Sequence, residues 1–236
     1  MSALPTTERS TARYAAVADD VHLAFGPTCA LRGANLTIAA GEVIALMGPS
    51  GSGKSTLLHC LAGILRPDRG TVHVAGQRLD TMSERARSGL RLRHMGFVFQ
   101  DSDLVPELTL AENVALPLQL LGVRHHEAHR RAREALATVG LDTEGERRTG
   151  AVSGGEAQRA AVARALVHQP AIVFADEPTG ALDTVSGERT LDVLLAEASD
   201  RGSSVLLVTH DHRVAAHADR LLVIRDGLVH VDEVAG

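Results

Sequence analysis

A chain of 236 residues, 44% of them hydrophobic, has the bulk for one sizeable core or a core with one inserted subdomain, and too little for two large independent domains. Its formal charge of −5, from 24 basic and 29 acidic residues with no basic block, speaks against a protein that coats nucleic acid, and no nucleic-acid partner is expected. No apolar run approaches the ~20 residues of a spanning helix, so a membrane, if one is involved, must be crossed by another chain.

Residues 1–13, with Glu8, Arg9 and Arg13 and no apolar centre, are expected to form a loose tail rather than a signal peptide or lipoprotein leader. Apolar runs over Tyr14 to Phe25 and Ala34 to Ile38, broken at Gly26-Pro27 and Gly41, predict a small antiparallel sheet. Phe25 is either an ordinary edge-strand aromatic or a ring that stacks on a nucleobase. The run Glu42 to Met47 then reads as a strand buried on both faces.

Between that strand and a helical stretch from Thr56 to Ala62 lie Gly48, Pro49, Ser50, Gly51, Ser52, Gly53, Lys54, Ser55 and Thr56. Glycines at 48, 51 and 53 let the backbone curl with its N–H groups inward, and the helix start adds roughly half a positive charge. This is a socket for a polyphosphate. Lys54 can reach β- and γ-phosphates, and the Ser55 hydroxyl is placed to ligate Mg²⁺. Cys60 falls on the same helix where a small apolar residue packs; two cysteines make no disulfide framework and suit a reduced cytoplasm.

After the helix, Thr71 to Gly76 alternates as a half-buried strand returning to the edge sheet. His94 to Gln100 is an apolar strand that ends on an amide. Gln100 therefore stands at the carboxyl edge of an α/β sheet, where its oxygen can reach a metal or its water, or where it is simply a solvated turn residue. From 101 to 166 helical patterns replace strands, with Pro106, Pro117 and Gly140 as punctuation. Thr109 to Glu112 has capping-box spacing, and Glu127 to Val139 is an amphipathic helix with apolar positions 128, 132, 135, 136 and 139. His125, His126 and His129 invite a zinc reading, but His stands at 126 where a protease pattern needs Glu, and a solvated face is preferred. Ser153, Gly154 and Gly155 open a further helix that can accept an anion yet brings no lysine of its own; a simple capped helix is the bland alternative.

Ala171 to Glu177 is an apolar strand ending in two carboxylates, a costly placement unless a cation meets them. Asp176 would hold Mg²⁺, and Glu177 would orient or deprotonate the attacking water. Ser204 to His210 is a fourth strand, delivering His210 to the same edge as a γ-phosphate contact or as a satisfied structural histidine. Arg220 to Arg225 and Leu228 to Val231 flank the hairpin signal Asp226-Gly227.

From about Val21 to Val231 the chain resembles the nucleotide-binding subunit of the ATP-binding-cassette (ABC) family, whose motifs occur here in order and spacing. They are a Walker A loop at 48–56, a Q-loop Gln100, a signature at Val152 to Arg159, a Walker B strand ending Asp176-Glu177, a D-loop Ala181-Leu182-Asp183 and a switch His210. The resemblance implies an α/β, RecA-like P-loop core (14–100 and 167–236) with an N-terminal antiparallel β subdomain and an inserted helical subdomain (101–166). It implies ATP and Mg²⁺ as cofactors, Phe25 on the adenine, Glu177 as catalytic base, and two copies paired head to tail. In that pair Ser153, Gly154 and Gly155 of one copy serve the nucleotide of the other, and the D-loop Asp183 is implied as a further nucleotide-binding residue.

Leu79 to Arg85, Gly96 to Gln100, Leu104 to Leu118 and Asp176 to Asp183 are similar to cassettes of the lipoprotein-release and macrolide-export type. These work with a separate membrane permease, which implies a peripheral place on the cytoplasmic face of the membrane. The cell-division cassette is a close relative. A soluble ABC ATPase acting on DNA or ribosomes is a rival, but such chains usually carry a long coiled coil or two cassettes, for which there is no room here. A module that binds nucleotide without hydrolysing it is opposed by Glu177 and His210. Departures from the family pattern are Val152 for leucine, Glu156-Ala157 for two glutamines, and no proline in Arg147 to Gly150.

Overall fold

A computed structural model describes residues 14–231; the tail expected at 1–13 lies outside the described residues. Strands β1 (Tyr14–Phe25) and β2 (Thr28–Ala39) form an antiparallel hairpin around Gly26-Pro27. The second strand starts six residues earlier than its apolar run suggests, because Leu31 and Ala34 are already buried while Arg32 and Asn35 face out. Strands β4 (Arg69–Val74) and β5 (Gln77–Arg78) complete a four-stranded sheet ordered β2-β1-β4-β5.

The second sheet has six strands: β3 (Val43–Met47), β6 (Met95–Phe99), β7 (Ile172–Asp176), β8 (Ser204–Val208), β9 (Arg220–Arg225) and β10 (Leu228–Val231), ordered β10-β9-β3-β8-β7-β6. All run parallel to their neighbours except β10, which returns antiparallel to β9. That return is the turn at Asp226 (φ 49°) and Gly227 (φ 76°), whose successive positive φ values match the twist of a two-residue hairpin.

Seven α-helices are described, besides a 3₁₀ turn at Thr149–Ala151: α1 (Lys54–Leu61), α2 (Glu84–His94), α3 (Leu110–Leu120), α4 (His125–Thr138), α5 (Gly154–Leu166), α6 (Thr184–Asp200) and α7 (His212–Ala215). Helix α2 has almost no apolar stripe, only Leu90 being buried. Ser83 caps it, and Glu84 pairs with Arg87 (2.6 Å) and Arg91 (2.7 Å), while Arg91 also donates to the Gly63 carbonyl (2.7 Å). Pro117, which reads as punctuation, lies inside α3 without ending it. The capping box at Thr109 and Glu112 is present, and α4 buries Ala128, Ala132, Ala135 and Leu136 as its period requires.

Alternation along the parallel strands divides the core into two large clusters, with a small third one of Ala45, Met47 and Ala215. Ile44, Leu46, Phe174 and Leu206 face α1 and the antiparallel sheet. Val173, Ala175, Val205 and Leu207 face the other way, sharing one cluster with α3, α4, α5 and α6. The helical segment thus has no core separate from the sheet. Cys60 is buried in the first cluster, and burial there pushes its thiol up to about 12. No helix among the described residues is long and apolar enough to cross a membrane.

Helix α5 lies close against β6, where a Cβ at Gly96 would stand 2.3 Å from the Ala165 carbonyl oxygen. Gly96→Ala is therefore expected to cost about 1–3 kcal/mol in denaturant unfolding. Gly150→Ala, at a position with nothing within 4 Å, should stay within about 0.5 kcal/mol of the unsubstituted chain.

Candidate active site

Strand register builds the site. Leu46 is paired with Val208, Val208 with Asp176, and Asp176 with Phe99, a single row across β3, β8, β7 and β6. One residue beyond this row come Gln100 and Glu177, and two residues beyond it Gly48 and His210, so all four leave the sheet at one carboxyl edge.

The loop after β3 is fixed by its glycines. A Cβ at Gly48 (φ 154°) would lie 2.3 Å from the Ile224 oxygen, and one at Gly53 (φ 108°) would lie 2.6 Å from the Ala30 oxygen, so β2 and β9 approach too closely for any side chain. Gly53 is the N-cap of α1, and Ser50 and Gly51 are exposed. Lys54 folds back across the loop, its Nζ donating to the carbonyls of Gly48 (2.7 Å) and Pro49 (3.0 Å). Ser52 Oγ is buried inside the loop with no hydrogen-bond partner.

Asp176, partly buried at the end of β7, has its pKa raised by desolvation first and by the neighbouring Glu177 charge second. His59, Lys54 and a hydrogen bond from Ser55 oppose that rise, which places the loop and the strand end in direct contact. Glu177 adopts φ 48°, an unusual conformation for a residue with a side chain. Its Oε1 lies 2.6 Å from His210 Nδ1, and its Oε2 accepts from Thr209 Oγ1 at 3.2 Å. A carboxylate only accepts, so His210 carries the proton on Nδ1. Gln100 is exposed, and its amide lies against Gly180, where an added Cβ would come within 3.2 Å of Gln100 Cδ.

The other sequence-derived candidates lie elsewhere. Ser153 caps α5, accepting from the Glu156 N–H (3.3 Å) while Glu156 Oε2 accepts from Ser153 N (2.7 Å) and Oγ (2.8 Å). Gly154 and Gly155 pack against Leu182 and Ser186, at the start of α6, and not against the phosphate loop's neighbours Ala30, Leu31 and Ile224. Asp183 caps α6 by accepting from Ser186 N (3.0 Å). Phe25 stands 52% exposed beside the β1–β2 turn. His125 and His129 stack with ring centroids 4.2 Å apart on α4. A cavity of about 390 Å³ adjoins the edge, sharing Glu177 and His210 with it and continuing along α6 to Asp183 and Leu191.

Two groups at the site escape the sequence reading. Thr209 is buried between Glu177 and the Asp211 N–H, which it accepts at 3.1 Å. Gln158 is buried in α5 and donates from Nε2 to the carbonyls of Phe99 (2.7 Å) and Pro178 (2.8 Å). For Thr209 the only signal is a polar residue closing an apolar strand, and Gln158 lies within the signature stretch Val152 to Arg159, where nothing local sets it apart from its neighbours.

Such an edge, with a glycine loop capping a helix beside a strand-end carboxylate, defines a P-loop nucleotide-binding ATPase core. The family described as "ABC transporter" matches residues 31–180, and the chain belongs to it. It is 46% identical over 197 residues to the lipoprotein-releasing system ATP-binding protein LolD of Chromohalobacter salexigens, covering 84% of this chain and 83% of that one. It is 40% identical over 206 residues to LolD of Hyphomonas neptunium, covering 87% and 90%. Among solved structures, the dimeric ATP-binding cassette MJ0796 bound to ADP and Pi is similar at a TM-score of 0.81 with 35% identity, over 91% of this chain and 96% of that one. The structure of cbiO1 from Clostridium perfringens, part of the ABC transporter complex cbiONQ, gives 0.84 with 28% identity, over 93% and 88%. The chain is an ABC ATPase with the α/β cassette fold that its motifs imply.

The raised pKa of Asp176 sets a pH dependence. Folding favours its neutral form, so its stabilising contribution is complete below the ordinary carboxylate range and is lost as pH rises through the raised value. Asp176→Asn should therefore raise the melting temperature of the nucleotide-free chain by a few degrees at about pH 7, an advantage that disappears in acid where both forms are neutral.

Proposed function

We propose that this chain is the ATP-hydrolysing subunit of a lipoprotein-release-type ABC system, acting as a homodimer beneath a separate membrane permease at the cytoplasmic face. The observation that carries the chemistry is the common register row, from which four strands deliver Gly48, Gln100, Glu177 and His210 to one edge. The curated relatives named for lipoprotein release support the type, and the dimeric cassette MJ0796 supports the pairing.

In this reading the backbone N–H groups of residues 48–56 and the Lys54 ammonium hold the β- and γ-phosphates, and Phe25 stacks on the adenine. The donors Ser55 Oγ, Asp176 and Gln100 are all oxygen ligands of the kind Mg²⁺ takes, and the raised pKa of Asp176 fits a carboxylate awaiting a cation. When bound there, Mg²⁺ neutralises charge on the phosphates. Glu177 accepts the proton of the attacking water, which requires His210 to leave Oε1 and turn toward the γ-phosphate. Thr209 then remains to hold Oε2.

Ser153, Gly154 and Gly155 form a second anion-accepting helix start with no lysine of its own, a half-site that the partner's nucleotide would complete, with Asp183 beside it. We assign 14–100 and 167–236 to the ATP-binding core and 101–166 to a helical subdomain packed on it. The positive φ of Ser102 (59°) and Asp103 (51°) at one border and the end of α5 at Leu166 support that division. A groove of about 360 Å³ near that first border, lined by Leu92, Phe97, Asp103, Pro117 and Arg164, is where we place the permease.

Glu177→Gln should lower turnover at least about 100-fold while retaining ATP binding, and light scattering should show a monomer becoming a dimer on addition of ATP. A chain that binds ATP and remains monomeric would refute the paired site. Ser153→Arg should abolish hydrolysis but change the ATP affinity of the single chain by less than about twofold; loss of that affinity would place the signature in the chain's own site.

A further inference from the structure

Helix α5 does more than open with Ser153. Five residues further on, about 8 Å along the axis at the helical rise, Gln158 turns inward and is 1% exposed. Its amide nitrogen spans the carbonyl of Phe99, the residue before Gln100, and the carbonyl of Pro178, the residue after Glu177. The β6–β7 ladder stops at the pair Phe99 and Asp176, so these carbonyls lie where the sheet supplies no further hydrogen bond between the two strands. One side chain thus replaces the missing rung.

The rest of α5 holds the same strand more tightly still. The Ala165 carbonyl closes on Gly96, and Arg164 donates to the carbonyls of Asp103 (2.6 Å) and Ser102 (2.9 Å) just beyond Gln100. A rigid helix gripping a strand at its start, its end and the following loop cannot shift without moving that strand.

Resting on the paired-site reading above, we propose that Gln158 is a positioning residue that links the two ATP sites. It ties the helix whose start meets the partner's nucleotide to the strand ends that carry Gln100 and Glu177 for the chain's own. Closure on one nucleotide then sets the geometry around the other. The amide is suited to this because it supplies two N–H donors without a charge, matching two neutral carbonyls.

The test uses the full chain with Gln158→Met, which keeps the length and removes both donors, and Gln158→Glu. Fluorescent ATP binding to the dilute single chain should change less than about twofold in either variant. Turnover of the Met variant should fall about tenfold or more, and its dependence on ATP should become hyperbolic where the unsubstituted chain is steeper. In the Glu variant, a carboxyl enclosed by two carbonyl oxygens has its pKa raised and donates one hydrogen bond only while protonated. Its turnover relative to the unsubstituted chain should be partly restored in acid and lost as pH rises. That profile would not follow from packing alone.

Turnover and ATP dependence unchanged in the Met variant would overturn the proposal. So would a turnover loss matched by an equal loss of single-chain affinity, or a Glu variant whose relative turnover is flat with pH. Failure of Glu177→Gln to dimerise with ATP while Gln158 is intact would instead remove the paired site itself.

Discussion

Two adjacent carboxylates stand at the end of a strand whose other four residues are fully buried, and much of the surrounding structure exists to make that tolerable. Partly desolvated like charges one residue apart repel, and each needs its own partners. The backbone separates them. By taking a positive φ at Glu177, at a cost of roughly 1–2 kcal/mol, the chain gives successive carboxylates different neighbours. Asp176 meets Ser55, Lys54 and His59 of α1, whereas Glu177 meets Thr209 and His210 beyond β8. The bond from the Glu177 N–H to the Val208 carbonyl, 2.8 Å, and that from Gly180 N to the Glu177 carbonyl, 3.0 Å, hold the strained residue in place. One local distortion thereby sorts a cation-facing group from a water-facing one.

The same economy governs α5. Seven of its thirteen residues are alanine or glycine, which lets its backbone touch β6 at Gly96 and leaves little room for water between helix and sheet. Polar groups in such a setting must be fully paired. Gln158 has two carbonyls, Arg159 donates from Nε to the Val139 carbonyl at 3.1 Å, and Arg164 has two more. These bonds give the helix a unique position, which the small apolar side chains alone would not specify.

Nearly all of the edge was legible in the sequence because its signals are local. A glycine-rich loop between a strand and a helix, strands ending on Gln100, Asp176 and His210, and a serine with Glu156 three residues later each act within a few positions of the chain. What remained hidden depends on distant partners. Helix α2 forms on Ser83, Glu84 and its arginines with one buried leucine, so no apolar period announces it. Pro117 continues α3, whose neighbour Asn113 is buried and holds the Val105 N–H and the Val105 and Thr109 carbonyls, an arrangement no local rule foretells. Gln158 and Thr209 matter through carbonyls and a carboxylate 20 to 59 residues away along the chain. β2 began early because burial of Leu31 against the phosphate loop, not its own apolar content, decides its length.

In the single chain three of the side chains assigned to ATP or its hydrolysis are already engaged internally. Lys54 bonds loop carbonyls, His210 covers Glu177, and the Ser153 hydroxyl is turned onto Glu156. Engaging nucleotide therefore exchanges hydrogen bonds rather than simply adding them, and each exchange yields only the difference between the two. For Lys54 that difference is large, since a phosphate carries a full charge and a carbonyl does not. For Ser153 it is small, because its present acceptor is a carboxylate whose pKa is held down by these very bonds. A helix start so engaged gains little from a free anion and much more from one presented with a whole complementary surface. In the proposed paired site the signature would on these grounds sense the paired state and not nucleotide alone, and the loop and the helix are distinguished by what each must give up.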